Sequence, residues 1–142
     1  MMKIKELLAA NSIGRVTSVD FNWMLNVYHG ADYFRRWHGV TAKGGSLWVH
    51  KATHHFDLLN WWLNSEPLEV TAHGELEHYG KNNPFRGTKC RGCEHKDKCR
   101  FYMDITKNKG MMDLYVANEH HDGYLRDGCV WREEIDIWDK MS

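Results

Sequence analysis

Residues 44–62, "GGSLWVHKATHHFDLLNWW", decide how the rest of the chain is read. Two glycines open the stretch, Ser46 offers a side-chain oxygen at a helix start, and the next proline is Pro67. Serine suits an N-cap because its oxygen accepts an otherwise unpaired backbone N–H, and proline suits the position just past a helix. The spacing predicts one long helix over 46–64. At about 100° per residue, His50, His54, Asp57 and Trp61 fall in a stripe about 60° wide. Two imidazoles beside a carboxylate can move protons near neutral pH, since imidazole titrates at about 6.5 and a carboxylate can fix its tautomer or raise its pKa. The same stripe fits the solvent face of an amphipathic helix. It also fits metal chelation by His-x3-His, although no Glu holds the HExxH position that a zinc hydrolase needs.

Elements on either side set the fold class. Residues 3–10 read as a short helix with Ile4, Leu7 and Leu8 on one face. "RVTSVDFNWMLN", 15–26, alternates Val19, Phe21, Trp23 and Leu25 against Ser18, Asp20 and Asn22, the pattern of a strand with one buried face. Residues 27–45 read as a polar, aromatic loop. "LEVTAHGELEHYG", 68–80, and "CVWREEIDIWDKMS", 129–142, read as further strands. This order predicts an α+β fold, a mostly antiparallel sheet packed on one face by the long helix. Residues 1–142 form a single domain in this reading, with 81–110 as a cysteine-rich insertion. The start inside a helix and the end inside an apparent strand suggest a piece of a longer chain.

Composition removes several function classes. The chain has 142 residues, large enough for a real core, and carries seven Trp, six Tyr and five Phe. Nineteen basic and nineteen acidic side chains cancel, so no global charge draws it to nucleic acid or an anionic membrane. Its longest mostly apolar run, "DLLNWWL", is too short to span a bilayer, and the start lacks a long apolar signal core. A cytoplasmic, reducing setting is expected.

In such a setting clustered thiols read as metal ligands before disulfides. "TKCRGCEHKDKCRFY", 88–102, holds Cys90, Cys93 and Cys99, and Cys129 could close a tetrahedral four-sulfur site. Lys89, Arg91, Lys96, Lys98 and Arg100 would offset thiolate charge. Structural zinc is the expectation; an iron–sulfur cluster matches the number of cysteines, but the spacing matches neither common ferredoxin pattern. His95 is a substitute ligand if Cys129 is out of reach. The basic residues and aromatics around these cysteines also support a rival reading, a zinc-binding module contacting nucleic acid or a protein partner without enzymatic activity.

"GRVTSVDF", the Arg- and Trp-bearing loop, "GGSLWVHKATHHFDLLNWW" and "EPLEVTAHGE" together resemble the C-terminal domain of the Gfo/Idh/MocA family of NAD(P)-dependent oxidoreductases. Gly44 and Gly45 match that family's glycine pair, His54 its catalytic-type histidine and Asp57 the following acid. His50 stands where the family usually has Asp. The resemblance implies a substrate-binding and oligomerisation domain, self-associating through the sheet. The nicotinamide cofactor, NAD or NADP, would be bound by an N-terminal Rossmann domain; no GxGxxG or Glu-Lys-Pro occurs here. It implies hydride transfer with a sugar or polyol, with His54 and His50 catalytic and Lys51, Asp57, Arg36 and His38 toward substrate. The domain alone would be inactive.

Overall fold

A computed structural model describes residues 1–142. Its first helix, α1, spans Met2–Ala9, as the sequence predicts. The segment expected to be a loop instead folds into α2, Val27–Arg35, a 3-10 turn at Trp37–Gly39, and α3, Thr41–Gly44. The predicted long helix is present in two parts, a π-helical turn at Trp48–Ala52 running into α4, Thr53–Leu63. Beyond it come β1, Gly74–Glu75, then α5, Lys109–Leu114, α6, Glu119–Asp122, and β2, Lys140–Met141.

α2 starts because the Asn26 side chain accepts the Tyr28 N–H at 2.9 Å, pairing one of the orphan donors of the first turn. Its inner face carries Ala31, Tyr33 and Phe34, all buried. Phe34 stacks on Tyr79 with ring centroids 4.3 Å apart, and Phe101 and Trp131 close around the pair. Val130, Ile135 and Ile137 complete this core. The centre of the molecule is therefore α2 and the 129–137 segment. The long helix lies outside it, since α4 has no buried residue.

The broad antiparallel sheet of the sequence reading does not form. β1 and β2 pair antiparallel, with Gly74 opposite Met141 and Glu75 opposite Lys140. Residues 15–26 form no strand, and 129–137 forms turns that drive its apolar side chains inward. Alternation provides an apolar face, but a strand also needs a neighbour to take its N–H and C=O groups. Val19, Trp23, Leu25, Leu68 and Val70 stay exposed. α4 rests on α1, where Lys5 Nζ donates to the Trp61 and Trp62 carbonyls and Trp62 Nε1 donates to the Met1 carbonyl. The small sheet is braced by Asp139, whose carboxylate accepts the backbone N–H groups of Glu77, His78 and Tyr79 at 2.8–2.9 Å. No helix is long and apolar enough to cross a membrane.

Candidate functional site

The end of α2, the Trp37–Gly39 turn and the π-helical turn meet around a group of aromatic and imidazole rings. Gly44 and Gly45 make the meeting possible. A Cβ on Gly44 would sit 3.0 Å from the His38 backbone, so only glycine lets α3 pack there. Gly45 has φ 77°, the left-handed region that costs other L-residues about 1–2 kcal/mol, and it turns the chain into the next helix. Ser46 caps as expected, with its Oγ accepting the Val49 N–H at 3.3 Å. A π-helical turn closes i→i+5 hydrogen bonds and is wider than an α-turn; such turns recur at functional sites. This one carries His50 and Lys51.

The His38 ring stacks on Tyr33 at 4.3 Å and lies 4.7 Å from Trp37 and 4.8 Å from His50. Its Nδ1 is 3.1 Å from the Tyr33 carbonyl. A carbonyl can only accept, so in this pairing Nδ1 carries the proton and Nε2 is left as the free nitrogen. Burial lowers the His38 pKa, the Tyr33 carbonyl opposes it, and Arg36, His50 and Lys51 add to the lowering. Burial also pushes the Tyr33 hydroxyl up to about 12. That hydroxyl, Arg36 Nε and Trp48 Nε1 are buried with no hydrogen-bond partner.

The lowered pKa sets a sign. The unfolded chain protonates His38 at about pH 6.5, above the folded state, so stability conferred by the neutral ring is present above that pH. It falls as pH drops from about 6.5 towards the folded pKa. Urea midpoints measured from pH 7 to 5 are expected to fall more steeply for the native chain than for His38→Gln; equal slopes would remove this role.

His38 and His50 are thus brought together, with Arg36 adjoining them. His54 and Asp57 lie further along α4, both exposed, and Lys51 is half-buried. The rings of His50 and His54 make no stacking contact; His55 packs against Phe21 and Trp23, at 5.1 and 4.8 Å. Tyr33 escapes the sequence reading because its segment reads as a loop. The helical spacing of Ala31, Phe34 and Tyr33 around polar Asp32 was the available signal.

The cysteines gather beside Arg35, at the same end of α2. An antiparallel bridge joins Lys89 to Gly128, so Cys90 N–H reaches the Asp127 carbonyl at 2.8 Å and Cys129 N–H the Thr88 carbonyl at 3.0 Å. All four thiols are free, and all four residues line one cavity of about 10 Å³. The expected zinc geometry is not present, because no three His, Cys, Asp or Glu side chains stand arranged to hold a metal. Sequence reading also missed Asp127, which is fully buried and accepts from the Arg91 backbone N–H and guanidinium Nε, both at 2.9 Å. Burial would raise its pKa, but these Arg91 bonds and that charge hold the carboxyl below the usual carboxylate range. A cleft of about 690 Å³ lies between α1, residues 14–19 and the end of α4; none of the predicted site residues lines it.

A two-glycine turn, a histidine-bearing helix start and the contact of buried His38 with exposed His50 make up this site. Residues 5–135 match the oxidoreductase family's C-terminal alpha/beta domain, and the chain belongs to that Gfo/Idh/MocA family. It is 42% identical over 156 aligned positions to "Putative oxidoreductase YteT" of Bacillus subtilis (strain 168). That match covers 96% of this chain and 35% of the relative, so the chain spans about a third of that protein's length. No solved structure matches.

Proposed function

We propose that this chain is the substrate-binding domain of an oxidoreductase that exchanges a hydride between a nicotinamide cofactor and a sugar- or polyol-like alcohol. The observation that carries this reading is the set of unpartnered buried donors, Tyr33 OH, Arg36 Nε and Trp48 Nε1, on the segments that hold His38 and His50. Buried polar atoms without partners are costly, and the hydroxyls of a polyol are groups that could satisfy them.

NAD or NADP, when bound, supplies the hydride acceptor. This chain has no glycine-rich phosphate cradle, so the cofactor would be held by a separate Rossmann domain. The residues here handle the alcohol and its proton. As the carbinol C–H bond breaks and its electron pair leaves as hydride, the O–H proton must pass to a base and a C=O bond forms. His54, exposed on the first turn of α4, takes that proton. His50 orients the substrate or His54 from the π-helical turn, and Lys51, Asp57, Arg36 and His38 bind or position neighbouring hydroxyls. Exposed Val70, Leu68 and Trp138 near the small sheet support self-association across that side.

The test is reduction of NAD or NADP by the full-length protein across a panel of sugars and polyols, followed as nicotinamide absorbance. Polyol-dependent turnover is expected. If no alcohol supports turnover in either direction with either cofactor, the reading is overturned.

A further inference from the structure

Arg35, the last residue of α2, is 6% exposed. Its guanidinium donates to the Gly128 carbonyl at 3.3 Å, to the Phe101 carbonyl, and to Cys90 Sγ at 3.1 Å. None of these partners is a carboxylate. A buried cation held only by neutral groups is a large desolvation penalty without Coulombic return, and folded proteins place an anion beside it. Sulfur is the one partner here that can become that anion.

Three further features converge on the same place. Gly92, at φ 71°, and the Cys93 N–H donating to the Cys90 carbonyl at 3.1 Å fold Cys90-x2-Cys93 into a tight turn. The Lys89–Gly128 bridge brings Cys129 to the same end of α2, and the Trp131 N–H donates to Cys129 Sγ at 3.4 Å. Backbone donors to ligand sulfur are the outer contacts that hold thiolate ligands in place. The shared cavity, about 10 Å³, has room for one ion in place of one water, far less than a four-iron cluster occupies.

We infer that Cys90, Cys93, Cys99 and Cys129 bind a single zinc ion as four thiolates, with buried Arg35 as the counter-charge of the centre. Binding draws the four sulfurs inward onto the cavity. In balance, Zn²⁺ and four thiols give a four-sulfur zinc centre of charge −2 and release four protons, with no change of oxidation state. All four positions are filled by protein, so the ion does no chemistry on substrate. It ties the 88–102 segment to Cys129 and, through Arg35, to the start of the Arg36–Trp37–His38 site.

The experiment is elemental analysis of the full-length protein purified without chelator, with turnover playing no part in the readout. About one zinc per chain is expected, with cobalt exchange producing the intense visible bands of a tetrahedral tetrathiolate. Stoichiometric iron and acid-labile sulfide would overturn the zinc assignment in favour of a cluster. Less than about half an equivalent of any metal, with all four thiols reactive in the native protein, would overturn the site altogether. Arg35→Leu is expected to weaken zinc retention against a chelator by about 10–100-fold. Unchanged retention would remove Arg35 from the centre, and the native stoichiometry stands as a test even if that variant does not fold.

Discussion

Replacing His54 by alanine in the full-length protein is expected to lower kcat by about 10²–10⁴-fold, the usual loss on removing a positioned general base, with a smaller change in KM. The reason is geometric. His54 is exposed at the start of α4, immediately beyond the widened turn that holds His50, and can meet a ligand approaching from solvent. His50 and His38, by contrast, are tied into a ring cluster with Tyr33 and Trp37. In the proposed function they hold substrate and neighbouring groups in place, so their replacement is expected to raise KM more than it lowers kcat. Steady-state kinetics of His54→Ala and His50→Ala on one substrate separate the two roles. A His54→Ala enzyme with native kcat would move the base elsewhere in the site.

Phe101→Ala is expected to destabilise the chain by about 3–5 kcal/mol, read from urea denaturation. The ring is 2% exposed and meets Tyr28 and His78 edge-on at 5.8 Å, Tyr79 at 5.7 Å and Trp131 at 5.6 Å. Truncation leaves a cavity bounded by four rings that cannot all collapse into it, which places the cost near the upper range for aromatic deletions. The Arg100 guanidinium, 4.9 Å from the ring, loses its aromatic partner as well. Trp61→Ala is the control. Trp61 is 39% exposed on α4, and its loss is expected to cost under about 1 kcal/mol. If Trp61→Ala proved the more damaging of the two, the core would have to be redrawn around α4.

The two helices with clear local punctuation were legible: α1 from its apolar triplet, and the 48–63 stretch from the Gly-Gly, Ser46 and Pro67 signals around it. The family was legible in the same residues. α2 was hidden because Asp32 and Arg35 break up its apolar residues, and aromatic clusters read as loop when no long periodic run frames them. The sheet was over-read for the opposite reason, since period-two alternation at 15–26 is a property of one segment whereas pairing is a property of two. At the cysteines, proximity in sequence found three of the residues that share the cavity and guessed the fourth. The buried pairings of Arg35 with Cys90 and Arg91 with Asp127 had no local signal, being contacts across 55 and 36 residues.

The π-helical turn at Trp48–Ala52 also bears on comparison among relatives. A wheel drawn at 100° per residue is out of phase across such a turn, so His50 and His54 do not share the bearing that their four-residue interval implies. Five residues of the wide turn cover about the same rotation as four of an ordinary α-turn, so removing one residue there would restore an ordinary winding and leave the helix downstream on nearly its present bearing. His54 and Asp57 would keep their bearings, with composition almost unchanged. A single-residue gap at this place in two aligned chains is thus absorbed locally: the wide turn takes up the extra residue, while the helix beyond it keeps its packing.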